Sequence, residues 1–378
     1  MKCSYFQSAL CRSCTLLDKS YEQTLALKKE HLEKLFPDHR SLLSAVLGVT
    51  NPEGSRNKAK LAVFTQNGEL TFGLYDQNGQ ATELENCPLH DERLNQLLPA
   101  LKDFLKTAQV PAYDLQTKKG ELKYVLLSIS EEDILCRFVL RSKESLDRIR
   151  KLVPEWQKIN KAVKVVTANI QPLHAAILEG EEEIVLSDQK VIWHKFDEFN
   201  LALGARSFFQ VTPEMARKLY GTLAAKLAED KPASLIDLYC GVGAFSFYSS
   251  RFCQKITGVE ISAEAIECAK LSNDKNGKAL SFFALDVEPY LASTSDRYEA
   301  VLVNPPRRGL NSSIIKSLLK MNPDFIYYSS CNAVTMQRDF LEMKEQYEIV
   351  DLKIFDMFPF TEHYETLMCL VRKSFHKP

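Results

Sequence analysis

Two short stretches near the C-terminus carry residue types able to share one reaction. "YYSSCN" sets Cys331 just beyond a run of strand formers, and "DMFPFTEHYET" carries Glu362, His363 and Glu365 close to Phe355, Phe358 and Phe360. A thiolate can add to an electrophilic carbon, and a carboxylate can later remove a proton so that the adduct collapses. Taken singly, each has a plainer reading. A cysteine ending an apolar strand is commonly a small packing residue, and a glutamate is commonly a surface carboxylate. The choice depends on what else the chain brings to the same place.

A second group of residues suggests a nucleoside-containing cofactor. "DLYCGVGAFS" follows a strand-like run, and Gly241 and Gly243 permit a tight turn close to a ligand. A G-x-G alone is weak evidence, and a tight strand-to-helix turn explains it as well. Glu260 ends the next strand, nineteen residues after Gly241, where a carboxylate can accept both hydroxyls of a ribose. Asp286 ends the third strand, in position to meet an adenine amino group. The fourth ends in "VNPPRRGL", whose two prolines stiffen the turn after Asn304. No G-x-x-x-x-G-K-[ST] sequence occurs, so ATP cradled by a P-loop is unsupported. The short loop and acidic strand ends resemble S-adenosylmethionine enzymes more than nicotinamide enzymes, which must seat a pyrophosphate on a helix N-terminus.

These residues need a frame. From "PEMARKLYGTLAAKLAE" onward, helical and strand-like runs alternate, which predicts α/β architecture: a mainly parallel, Rossmann-like sheet covered on both faces. Thr212 is the expected N-cap of that first helix, with Pro213 at its first position. Ligands of such sheets bind beyond the carboxyl ends of the strands. Before it, a hairpin around Asn67-Gly68, another turn at Asn78-Gly79, paired strands over 121–130 and 133–142, and a helix over 143–159 predict an α+β domain. The expected division is a cysteine-rich segment and helix over 1–36, a central α+β domain over 37–200 and a catalytic domain over 201–378.

The chain has 378 residues, a net charge of -1 and ten cysteines. Near-neutrality gives no bulk argument for nucleic acid, but residues 115–164 hold twelve Lys and Arg against seven Asp and Glu. Such a face can track a phosphate backbone or be a solvated helix surface. No stretch is long and apolar enough for a membrane span and no secretory leader is seen, so a cytoplasmic protein without membrane or obligate protein partners is expected. Disulfides are then unexpected. Cys3, Cys11, Cys14 and the distant Cys87 form a C-x7-C-x2-C…C set that suits either zinc or a [4Fe–4S] cluster. Cys136, Cys240, Cys253, Cys268 and Cys369 read as packing residues.

"RSFFQVTP", "DLYCGVGAFS", "VNPPRRGL", "YYSSCN" and "FPFTEHYET" occur in the order and approximate spacing of the RNA uracil-C5 methyltransferases, a resemblance covering essentially the whole chain. The N-terminal cysteines are similar to those of the iron–sulfur branch, and the absence of a preceding TRAM barrel resembles the group acting on 23S ribosomal RNA. The resemblance implies a methyltransferase fold with an α+β domain carrying a cysteine-bound cluster. It implies S-adenosylmethionine contacts from Gln210, Tyr239, Glu260 and Asn304, with Cys331 as nucleophile, Glu365 rather than Glu362 as base, and a [4Fe–4S] cluster. The RNA partner would be a ribosomal hairpin loop whose uracil is splayed or flipped out, with Phe358 and Phe360 as stacking candidates and Arg307 and Arg308 near phosphates. Two departures stand out: Asn304 replaces a common aspartate, and Ala244 replaces an asparagine found in some relatives. An amino-methyltransferase acting on adenine, cytosine or protein glutamine is the first alternative, but it would place an aromatic residue where Arg307 stands. A non-catalytic RNA-binding iron–sulfur protein is the second, and a nicotinamide-linked reductase the third.

Overall fold

Asn67 and Gly68 both adopt positive φ, 52° and 81°. This mirror-image turn matches the twist of the strands it joins, so Lys58–Gln66 folds back on Glu69–Tyr75 with Gln66 opposite Glu69. The structure, a computed structural model, describes residues 1–76, 78–174 and 177–375. By contact density the chain divides into two units: 1–12 with 51–195 and 203–205, and 13–50 with 196–202 and 206–378. Segment 13–50 thus groups with the C-terminal sheet, across the linear divisions drawn from sequence.

The first unit is a seven-stranded sheet. It starts at the Ala81–Glu83 edge, runs through the hairpin to Leu122–Ser130, Asp133–Leu140 and Val163–Ile170, and ends at Glu182–Val185. Alternate residues of each strand, such as Leu61, Val63, Val125 and Leu127, share a core with helices Glu92–Thr107 and Leu146–Ile159. Phe104 stacks on Trp156 at 4.6 Å between ring centres. Several cations of the basic stretch are paired within this unit. Arg137 is buried against Glu179 and Glu183, Arg141 bonds Glu121, Lys143 bonds Glu182, and Arg148 donates to the Ala108 carbonyl. Lys118 and Lys119 are exposed.

The second unit is built on Ser281–Ala284, Lys255–Glu260, Ser234–Leu238, Ala300–Val303, Phe325–Ser330, Glu365–Arg372 and Tyr347–Phe355, in that spatial order. The first five are parallel, and Glu365–Arg372 runs antiparallel to both its neighbours. Helix Pro213–Asp230 packs on this unit. Thr212 occupies its N-cap position without capping it, since its hydroxyl donates instead to the Met357 carbonyl at 2.8 Å. No helix among the described residues is long and apolar enough to cross a membrane.

Helix Tyr21–Leu35 starts with a capping box, Ser20 and Gln23 bonding each other's backbone. Its Lys28 is fully buried and pairs with the equally buried Asp356, while also donating to the Phe358 carbonyl at 3.0 Å. Tyr21 donates to the other Asp356 oxygen at 2.6 Å, and the Leu16 amide bonds the Phe360 carbonyl at 2.9 Å. These contacts hold the turn over 357–364. Removing one member of a buried pair leaves the other charged and unsolvated, which costs about 3–5 kcal/mol. Lys28→Met should therefore lower unfolding stability by about that amount in a urea titration. An unchanged midpoint would mean that the pair contributes nothing.

Candidate active site

Strand direction gathers the candidate residues. The carboxyl ends of the parallel strands lie along one edge of the sheet, and the amino end of an antiparallel strand comes to the same edge. Leu238, Glu260, Val303 and Ser330 end parallel strands, while Glu365 begins the antiparallel one. Ser330 pairs with Thr366, so extending that register by one residue sets Cys331 opposite Glu365.

A cleft of about 1210 Å³ opens at this edge. Its walls include Gln210, Tyr239, Gly241, Glu260, Asp286 and Asn304, the six residues expected to hold the cofactor, together with Cys331 and Glu365. The glycine turn is shaped by positive φ at Tyr239 (62°), Gly241 (55°) and Gly243 (81°). A Cβ on Gly243 would lie 2.8 Å from the Phe282 ring, so only glycine fits there. The Glu260 carboxylate accepts the Gly241 amide at 3.3 Å and the Ser262 amide at 2.9 Å, which fixes it on the cleft wall. Asp286 caps helix Val287–Ser293 through the Glu288 amide while facing the cleft. Beneath the turn, Asp237 is fully buried and accepts from the Ser246 hydroxyl at 2.6 Å; burial pushes its carboxyl up to about 7. Sequence reading passed over Asp237, because an acid inside a strand gives no pattern until its burial is known.

At the other end of the cleft, Cys331 is half-buried. Burial and the Glu365 carboxyl push its thiol up, while a hydrogen bond and the charge of Arg307 pull it down. Glu365 is buried, and desolvation pushes it up to about 7 against a lowering hydrogen bond from Ser329 at 2.6 Å. Asn332 Nδ2 and Thr335 Oγ1 both donate to the Arg307 carbonyl, at 2.8 and 3.2 Å, tying the proline turn to the cysteine loop. Glu362 and His363 are exposed.

The aromatic assignments need correction. Phe358 lines the cleft, but Phe360 is buried at positive φ (59°) against Tyr21, with ring centres 5.5 Å apart, and is no stacking surface. Phe208, absent from the sequence candidates, is 65% exposed on the cleft wall. Its signal was present in "SFFQ", where the second phenylalanine, Phe209, packs inward on Phe196 and the first does not.

Cys3, Cys11 and Cys87 belong to the first unit and Cys14 to the second. Tyr5 joins the Cys3 helix to the Cys87 loop, donating to Glu83 at 2.9 Å and accepting from the Asn86 amide at 3.1 Å. Burial and the Cys3 charge push the Cys87 thiol up. Among the described residues, however, no group of three or more His, Cys, Asp or Glu is placed to hold a metal ion. Thiols have no mutual attraction, and an ion must supply it. All four are half-buried, whereas Cys136, Cys240, Cys253, Cys268 and Cys369 are buried.

A family model described as tRNA (uracil-5-)-methyltransferase matches residues 20–373. The chain is 40% identical over 376 residues to the 23S rRNA (uracil(747)-C(5))-methyltransferase RlmC of Xenorhabdus nematophila, spanning 98% of this chain and 100% of that one. Against the protein of the same name from Yersinia enterocolitica it is 40% identical over 377 residues, spanning 98% and 100%. Among solved structures, the Pyrococcus abyssi tRNA (uracil-54, C5)-methyltransferase in complex with S-adenosyl-L-homocysteine aligns with a TM-score of 0.78 and 23% identity, over 95% of this chain and 85% of that chain, and so shares its fold. With the family model covering nearly the whole chain and relatives matched end to end, this protein belongs to the tRNA (uracil-5-)-methyltransferase family.

Proposed function

We infer that this protein methylates C5 of a uracil in 23S ribosomal RNA, with S-adenosylmethionine as the methyl donor. The observation that carries this reading is one cleft lined by Cys331 and Glu365 together with the six nucleoside-site candidates. Full-length relatives are named for this reaction on that RNA.

Uracil C5 is a weak nucleophile toward a methyl sulfonium. Cys331 overcomes this by adding its thiolate to C6, which makes an enolate and places electron density on C5. Arg307, bonded to the thiol, favours the thiolate against burial and the nearby Glu365. S-adenosylmethionine supplies the methyl group that C5 takes. Gln210, Tyr239 and Asn304 would contact it, with Glu260 at its ribose, Asp286 at its adenine and Gly241 allowing close approach. Asn304 keeps a hydrogen-bond acceptor without the charge of an aspartate. Glu365 then takes the C5 proton; the C–H electron pair forms the C5–C6 double bond and the C6–Sγ bond breaks, returning the thiolate. Phe208 and Phe358 offer faces on which an extruded base can stack. A hairpin loop in the cytoplasm, where the base is already unpaired, is the substrate that makes extrusion least costly. Arg308 and the exposed Lys118 and Lys119 are candidates for flanking phosphates.

We also assign Cys3, Cys11, Cys14 and Cys87 as ligands of a [4Fe–4S] cluster. All-thiolate donors suit such a cluster, and the partial exposure of these four alone with Cys331 supports the choice. The cluster would fix the N-terminal segment to the central domain rather than act in methyl transfer.

Nucleoside mass analysis of ribosomal RNA incubated with the protein should show 5-methyluridine. Cys331→Ala should abolish it, and Glu365→Gln should slow turnover by roughly 10²–10⁴-fold while retaining a covalent protein–RNA species. Methylation of an exocyclic amine that survives in Cys331→Ala would replace this reading with an amino-methyltransferase. Protein purified without oxygen should contain iron and acid-labile sulfide in equal amounts, and Cys87→Ala should lose both. Zinc, or no metal, would overturn the cluster assignment.

A further inference from the structure

Ser329 stands two residues before the nucleophile on the Phe325–Ser330 strand and pairs with Leu367 across the antiparallel ladder. Side chains two apart share a face, so Ser329, Leu367 and Glu365 lie on the same side of the sheet. Cys331, opposite Glu365 by extension of the register, belongs to that side too. Ser329 and Glu365 are therefore diagonal neighbours. Both are buried, at 0% and 2% exposure, and the Ser329 hydroxyl donates to Glu365 Oε1 at 2.6 Å.

We propose that Ser329 is a positioning residue for proton removal: its hydroxyl holds Glu365 Oε1 and leaves Oε2 as the oxygen that takes the C5 proton. This rests on the uracil-C5 reading above. A carboxylate enclosed in protein otherwise loses its water and tends to neutralise. The other titratable groups facing it do not help: the Tyr220 phenol, from helix Pro213–Asp230, and the Cys331 thiol both become anionic when they ionise. The Ser329 hydrogen bond is the lowering influence on a carboxyl that burial pushes up to about 7. When Glu365 gains the proton, the serine hydroxyl can remain in place, and the proton leaves to solvent before the next cycle. No redox partner or further reactant is needed.

The sign is fixed by the step. Glu365 must be anionic to accept a proton, so adduct release should rise with pH as the carboxyl ionises. Removing the donor raises the carboxyl further and moves the acid limb of release to higher pH. The test is a quenched-flow measurement on the full chain, with S-adenosylmethionine and a uracil hairpin, that follows covalent adduct formation and adduct release separately. Ser329→Ala should form adduct no more slowly than the unaltered protein, because a more neutral Glu365 no longer opposes ionisation of the Cys331 thiol. Its release should slow by roughly fivefold at neutral pH, and the acid limb should move up by roughly one pH unit. Ser329→Thr, which keeps the hydroxyl, should restore both. Unchanged release and limb in Ser329→Ala would overturn the proposal. So would an equal loss of formation and release, which marks a packing role. If the unaltered protein forms no adduct, the uracil-C5 reading itself fails and the role of Ser329 falls with it.

Discussion

The antiparallel pairing of Glu365–Arg372 with Phe325–Ser330 is the constraint on which the rest of the site depends. In a wholly parallel sheet, a carboxylate at the start of a strand would lie at the opposite edge from a cysteine at the end of its neighbour. Reversal of one strand brings the two together, and the ladder register then sets them opposite each other. The same pairing supplies Ser329 as a diagonal neighbour. The turn leading into the reversed strand must also be held, because it delivers both Phe358 and Glu365. Tyr21 and Lys28 do this by bonding Asp356, from a helix more than 300 residues away in sequence.

The electrostatics follow from that geometry. Burial works against the charged forms of both Cys331 and Glu365, and each carries one local interaction that favours ionisation: Arg307 for the thiol, Ser329 for the carboxyl. Two anions side by side repel, so neither influence alone would keep the pair ready for use. A carboxyl near 7 beside a raised thiol is a site poised to exchange protons close to neutrality.

Much of this was legible before any coordinates. Glycines, prolines and acidic residues at strand ends mark the cleft because each has a local physical reason for its position. The Asn67-Gly68 hairpin was readable for the same reason. What stayed hidden depends on contacts distant in sequence. "FPF" offers two equivalent phenylalanines, and only packing against Tyr21 shows that Phe360 is a core residue. Thr212 precedes a proline in a good capping context, yet its hydroxyl goes to Met357. Charges over 115–164 read equally as a phosphate-tracking face or a solvated one, and the carboxylates some forty residues away that pair with Arg137 and Lys143 give no local signal. Ser329 looks like any strand serine until Glu365 is placed beside it.

The proposed reaction turns on one bond, from Cys331 to C6 of the target base. The most direct measurement is incubation of the protein with S-adenosylmethionine and a hairpin in which the uracil carries fluorine at C5. Fluorine cannot leave as a proton, so Glu365 has nothing to remove and the adduct should persist through denaturation. Peptide mass analysis should then place the nucleotide on Cys331. A persistent adduct on any other residue, or none when the donor and RNA are both bound, would rule out Cys331 as the nucleophile.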